Sequence, residues 1–102
     1  MFEVNGKQYE LKMNTNRVKM VEGVTNKSIM GEWKMSDGLL SLATIEACFQ
    51  LCTKEVGSDV FCGQQEGQRV GQQYMEEHGY AMCANEIMEA LQKDMPFLFQ
   101  AN

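Results

Sequence analysis

The fold is decided at the start of the chain, which reads Phe2-Glu3-Val4-Asn5-Gly6-Lys7-Gln8-Tyr9-Glu10-Leu11-Lys12-Met13. Asn5-Gly6 is the pair best able to supply the two positive φ angles of a type I′ turn, and a two-residue loop pairs Val4 with Lys7 and Phe2 with Tyr9. One face of the hairpin then collects the apolar side chains Phe2, Val4, Tyr9, Leu11 and Met13. The stretch therefore predicts a β-hairpin with one apolar face.

A lone hairpin is marginal in water, so helices are expected to cover that face. Asn14 or Thr15 can cap a first helix that ends near Val24, with Val18, Val21 and Val24 at helical spacing. A turn at Thr25-Asn26 follows, and Ser28 opens a second short helix. That second helix carries Ile29, Met30 and Trp33, and the run Ser36-Asp37-Gly38 ends it.

Ser41 is a good cap for a third helix, which is expected to stop at Gly57. Its apolar stripe consists of Leu42, Ile45, Phe49, Cys52 and Val56. A fourth helix from about Gln65 to His78 is expected to be weak unless packing supports it, because glycine costs about 1 kcal/mol per interior position relative to alanine. Val70, Tyr74 and Met75 offer a narrow apolar stripe for that packing. A fifth runs from Met82 to Asp94, and Pro96 prevents its continuation. The sequence thus predicts one α+β domain over residues 1–102, mostly α, with an N-terminal β-hairpin packed on about four or five helices.

Composition narrows the function classes. The chain has 102 residues, a net charge of −5 and 44% apolar residues. Nucleic acid is an unexpected partner, since phosphate binding begins with a surplus of Lys and Arg. No apolar run approaches the ~18 residues of a membrane span, and the N-terminus has no signal pattern. We therefore expect a soluble cytoplasmic protein that binds neither nucleic acid nor membrane.

The four cysteines are the first candidates for chemistry. Cys48 and Cys52 share one helix face, and Cys62, His78 and Cys83 could complete a metal site. Structural zinc usually takes a ligand pair from a tight loop knuckle, which is absent, and an activated thiol needs a basic neighbour. Neither a catalytic set nor a cofactor site can be assembled from these residues, so we expect no enzyme, no metal and no cofactor.

Surfaces are the remaining candidates, and nine methionines make them unusual. Methionine fills irregular cores and also recurs on surfaces that accept varied apolar partners. Trp33 either anchors the hairpin to the helices or belongs to an aromatic and methionine patch for a partner helix. The apolar end Phe97-Leu98-Phe99 folds back onto the core, adds to a neighbour, or stays exposed. The candidate partner-binding residues are Met20, Met30, Trp33, Met35, Phe97 and Phe99.

Both ends of the chain, taken together, resemble one protein family. Residues 1–7 with Tyr9-Glu10-Leu11-Lys12, and the closing Asp94-Met95-Pro96-Phe97-Leu98-Phe99-Gln100, resemble the tail-assembly chaperones of long-tailed phages and prophages of Gram-positive bacteria. The likeness extends through Arg17–Glu22, Gly57–Phe61 and Glu86–Leu91, and so spans nearly the whole chain. The Gln- and Gly-rich stretch Gly63–Gln73 departs from the family pattern.

The resemblance implies a protein that coats the helical tape measure protein, keeps it soluble, and helps recruit tail tube subunits through a possible longer, frameshifted form. It implies a homo-oligomer in the host bacterial cytoplasm that is absent from the mature virion. Two other classes stay open: a small acidic regulatory or inhibitory module that binds proteins, and a cysteine-based zinc or thiol module.

Overall fold

The computed structural model describes residues 1–100 and contains a three-stranded antiparallel sheet and five α-helices. The elements are β1 (Phe2–Val4), β2 (Lys7–Leu11), α1 (Thr15–Thr25), α2 (Ile29–Met35), α3 (Leu42–Cys52), β3 (Thr53–Glu55), α4 (Gln64–His78) and α5 (Tyr80–Asp94), followed by a 3₁₀ turn (Pro96–Phe99). The predicted α+β class, mostly α, is confirmed. The last two residues of the apolar C-terminal end, Ala101 and Asn102, lie outside the described residues.

The hairpin has the predicted register. Phe2 pairs with Tyr9 and Val4 with Lys7, and Asn5 and Gly6 take the two positive φ angles. All five residues of the predicted apolar face are buried. The ring of Phe2 anchors this face to the helices, since its centroid lies 5.6 Å from that of Phe49 and 4.8 Å from that of Tyr74.

The third helix is shorter than predicted, because it ends at Cys52 instead of continuing to Gly57. The backbone N–H of Lys12 donates to the carbonyl of Cys52 at 2.8 Å, and the hydroxyl of Thr53 donates to the carbonyl of Phe49 at 2.5 Å. These bonds take up helix-end carbonyls and turn the chain into β3, which pairs with β2. Val56, which lies beyond the helix end, is consequently exposed, and Leu42 at the start of the helix is exposed as well.

Helix α4 packs closely against α3, although its glycines suggested a weak helix. A Cβ atom on Gly67 would lie 2.6 Å from the carbonyl oxygen of Phe49, and one on Gly71 would lie 2.5 Å from the Cβ of Phe49. The glycines thus allow the two backbones to approach, and packing compensates for their low helix propensity.

Two sets of partly buried hydrogen bonds join α5 to distant parts of the chain. Asp94, at the end of α5, accepts hydrogen bonds from the Met13 N–H at 2.8 Å and the Lys12 ammonium at 3.1 Å. The Tyr80 hydroxyl donates to the Leu40 carbonyl and accepts from the Leu40 N–H, both at 2.6 Å. Within residues 1–100, no helix has the combined length and apolar character needed to cross a membrane.

Candidate functional site: an apolar surface formed by α2 and the C-terminal turn

Helix α2 lies beside the C-terminal 3₁₀ turn, and an apolar groove of about 280 Å³ runs between these elements, α1 and α5. Met30 of α2 and Leu98 of the turn line it together with Val18, Leu91 and Met95. Pro96 creates this arrangement, because it cannot continue α5 and so starts a turn that returns the chain to the body. The predicted helix end at Pro96 is therefore also what builds the groove.

An aromatic contact joins the two elements that border the groove. The Trp33 and Phe99 rings meet edge to face with centroids 6.5 Å apart. Gly38 backs the indole, since a Cβ placed there would lie 3.3 Å from the Trp33 Nε1 atom. Trp33 is half-buried and joins α2 to the C-terminal turn, whereas the anchor of the hairpin is Phe2.

Three of the six predicted contact residues lie on these two neighbouring elements: Trp33 and Phe99 contact each other, and Met30, one turn before Trp33 on α2, lines the groove. Phe97 belongs to the same turn and is 56% exposed. We call Met30, Trp33, Phe97, Leu98 and Phe99 the α2–tail surface.

The other two predicted residues do not join this surface. Met35 is 90% exposed but lies beside Gly31 and Glu32 on another face of α2. Met20 is 41% exposed on α1 and does not line the groove, which α1 borders with Thr15, Val18, Lys19 and Glu22. Helical spacing already indicates that Met35 does not share a face with Trp33, because residues two apart on a helix point to nearly opposite sides.

Carboxylates fix α2 at its first residue and at its middle, which sequence reasoning missed. The Glu22 carboxylate accepts from the Ile29 N–H at 2.8 Å, and the Ser28 hydroxyl accepts from the Gly31 N–H at 3.0 Å. Glu32 accepts from the Ser41 N–H and, at 2.7 Å, from the Thr44 hydroxyl. The second carboxylate ties α2 to the first turn of α3, where a negative charge is favoured by the helix dipole.

Burial opposes the charged form of Glu32, but the hydrogen bonds from Ser41 and Thr44 outweigh it and lower the pKa of this carboxyl. Glu32 is therefore charged and links α2 to the start of α3 through hydrogen bonds. The position of α2, and with it the α2–tail surface, depends on this contact.

The thiols lie mostly inside the protein. Cys48, Cys52 and Cys83 are buried and Cys62 is half-buried. Burial raises the pKa of Cys52 to about 12 and that of Cys83 to about 11, which disfavours the reactive thiolate. His78 lies at the exposed end of α4, with its ring 4.7 Å from that of Tyr74. Among residues 1–100, no group of three or more His, Cys, Asp or Glu side chains is placed to hold a metal ion.

Comparison of the chain with protein-family models, with curated proteins and with solved structures finds no match.

Proposed function

We propose that this protein is a non-enzymatic tail-assembly chaperone of a long-tailed phage or prophage of Gram-positive bacteria. It binds apolar helices of the tape measure protein in the host cytoplasm, keeps them soluble, and helps recruit tail tube subunits. The resemblance of both chain ends to that family supports the proposal.

The observation that carries this function is the α2–tail surface. Its half-buried Met30, Leu98 and Phe99 and its exposed Phe97 present adaptable apolar area beside a groove. An amphipathic helix binds such a groove through apolar anchors spaced one turn apart. Methionine repacks at low cost, so one surface can accept many different turns of a long helical partner.

A long partner offers many such turns, and several copies of the chaperone would bind along it. Self-association of the copies would raise the effective concentration of each site and convert weak single contacts into stable coating. Release would then need only the weakening of individual contacts.

The test is co-expression with an apolar helical fragment of a tape measure protein. Phe97→Ala removes an exposed ring, and Trp33→Ala removes the aromatic centre of the surface. We expect each variant to bind the fragment about tenfold more weakly and to leave more of it insoluble, as for a central aromatic contact. Val60→Ala is the matched control, since Val60 is 71% exposed in the segment between β3 and α4.

Phe97→Ala is the decisive variant, because its exposed side chain contributes little to the fold. If a correctly folded Phe97→Ala protein and a correctly folded Trp33→Ala protein both keep the fragment as soluble as the wild type does, the α2–tail surface is not the binding site.

A further inference from the structure

Helices α3 and α4 enclose a second cleft, which the α2–tail surface does not include. It measures about 320 Å³, and its floor consists of Ile45, Phe49 and Met75. Glu46 of α3 and Glu76 of α4 lie on its rim and are exposed. The volume is at the lower end for pockets that bind small ligands and suits one large apolar side chain.

The walls of this cleft are held in place by the glycine contacts between α3 and α4. Gly71 lines the cleft. Phe49 of α3 occupies the space that a Cβ atom on Gly71 would need. The helices therefore cross at one fixed separation, and the cleft is formed without a partner. A preformed cleft costs a ligand little ordering of the protein.

The charge around the cleft is negative. Helices α3 and α4 carry four glutamates, Glu46, Glu66, Glu76 and Glu77, against one arginine, Arg69. Within residues 1–100, the Glu46 carboxylate has no hydrogen bond or ion pair, and Glu76 accepts a single long bond of 3.4 Å from Gln72. Arg69 shares a shallow depression beside the cleft with both Glu76 and Glu77, but among residues 1–100 it forms no ion pair with either. The glutamates of the two helices outnumber this arginine, and neither rim carboxylate is neutralised by an ion pair.

We propose that this cleft binds a basic amphipathic helix of another protein. One apolar side chain of that helix enters the cleft, and Lys or Arg residues three or four positions on either side pair with Glu46 and Glu76. Leu42, which is 57% exposed one turn before Glu46, extends the apolar contact along α3. This second site is independent of the proposed binding of a tape measure protein. It is also where an acidic protein-binding module, the alternative function considered from the sequence, would bind its partner.

The charge requirement is tested with two synthetic 18-residue helical peptides. The first carries leucines at positions i, i+3, i+4 and i+7 with flanking lysines, and in the second every lysine is a glutamate. We expect the lysine peptide to bind at least about tenfold tighter by titration calorimetry, and its affinity to fall with added salt. Equal affinity for the two peptides overturns the proposal.

The location is tested with Glu46→Lys/Glu76→Lys, which reverses both rim charges at exposed positions. We expect this double variant to bind the lysine peptide about tenfold more weakly than wild type. Glu89→Lys, which reverses an exposed carboxylate on α5, is the matched control and should change the affinity less than about twofold. An unchanged affinity of the double variant removes the cleft as the site.

Methionine methyl NMR separates the two surfaces directly. In the wild-type protein the lysine peptide should shift the Met75 methyl signal of the cleft and leave the Met30 signal of the α2–tail surface in place. Shifts at Met30 without a shift at Met75 overturn the proposal. Because the variants at Phe97 and Trp33 report on the other surface, either proposal can fail alone.

Discussion

Gly67 and Gly71 face α3 at positions where a side chain has no room. Gly23 in α1 differs from them, because a Cβ atom added there would meet nothing within 4 Å. Glycine lowers helix stability wherever it occurs, but only at the crossing of α3 and α4 does it also permit a contact. The same substitution should therefore have opposite effects at the two places.

We predict that Gly71→Ala lowers the free energy of unfolding by about 2–3 kcal/mol, because the new methyl group overpacks against Phe49. Gly23→Ala should raise it by about 0.5–1 kcal/mol, through better helix propensity and a less flexible unfolded chain. Urea denaturation of both variants measures the difference. A Gly71→Ala protein as stable as wild type would contradict the close approach of the two helices.

Glu32 is the second residue whose role can be isolated. Its carboxylate bonds to Ser41 and Thr44 favour the charged form, so its pKa in the folded protein lies below its ordinary value of 4.5. A lowered folded-state pKa means that the contribution to stability is complete above about pH 4.5 and is lost as the pH falls through the lower, folded value. This contact is therefore an acid-sensitive one.

We predict that Glu32→Gln is destabilised by about 1–2 kcal/mol at pH 7, since the amide keeps the shape but loses the charge. The gap between variant and wild type should shrink as the pH falls below about 4.5 toward the lower pKa of Glu32 in the folded protein. Denaturation curves at several pH values give this gap. A gap that stays constant down to pH 3 would show that the charge of Glu32 contributes nothing.

At the scale of elements, the loop between α2 and α3 is fixed to α5 by one side chain. The Tyr80 hydroxyl satisfies both the N–H and the carbonyl of Leu40, and the Leu40 side chain is buried. We predict that Tyr80→Phe costs about 1–3 kcal/mol, because two backbone groups lose their partner. Hydrogen exchange of the Leu40 amide should accelerate in this variant.

Tyr74→Phe serves as the comparison for Tyr80→Phe. The Tyr74 hydroxyl donates to the half-buried Glu86 carboxylate at 3.2 Å, and burial first, then the Glu86 charge, raises the pKa of Tyr74 to about 12. Its removal leaves no backbone group unpaired, so the cost should be smaller, about 0.5–1.5 kcal/mol. If the Leu40 amide exchanges equally fast in both variants, the Tyr80 hydroxyl does not hold the loop between α2 and α3.

Local signals predicted most of these elements. The Asn5-Gly6 turn, the Ser28 and Ser41 caps and Pro96 each act within a few residues, and each marks a boundary in the structure. Strand β3 escaped prediction because its three residues show no alternation, and its pairing with β2 is decided more than forty residues away. The predicted need for packing to support α4 is met at Gly67 and Gly71, but the contact with α3 that they allow cannot be seen in the local sequence.

The candidate site was predictable in part. The aromatic and methionine content pointed to α2 and the C-terminal end, where Trp33 and Phe99 contact each other and Met30 lines the groove. The sequence does not encode in any local pattern that Leu98 enters the groove or that Glu22 and Glu32 hold α2. The cleft between α3 and α4 depends on the angle and distance of a helix crossing, which only tertiary packing sets.

At the scale of the whole molecule, the cysteines report whether the sheet and helices form one cooperative unit. Cys48 and Cys52 lie in α3 and Cys83 in α5, and all three are buried, whereas Cys62 is half-buried before α4. Because only a thiolate reacts with Ellman's reagent, a buried thiol reacts when the protein opens. Three cysteines on two helices thus sample the opening of separate parts of the core.

We predict that Cys62 reacts first under native conditions and that the other three react slowly, at rates that converge as urea is added. Cys62→Ser should abolish the fast phase and leave the slow one, which identifies the fast thiol. Equal opening free energies for Cys48 and Cys83 are expected, because α5 packs against α4, α3 and β2 and its buried side chains belong to the same apolar core as those of α3. Faster labelling of Cys83 than of Cys48 at low urea would instead mean that α5 opens separately. Since α5 leads into the C-terminal turn, such an opening would also dismantle the α2–tail surface before the rest of the protein unfolds.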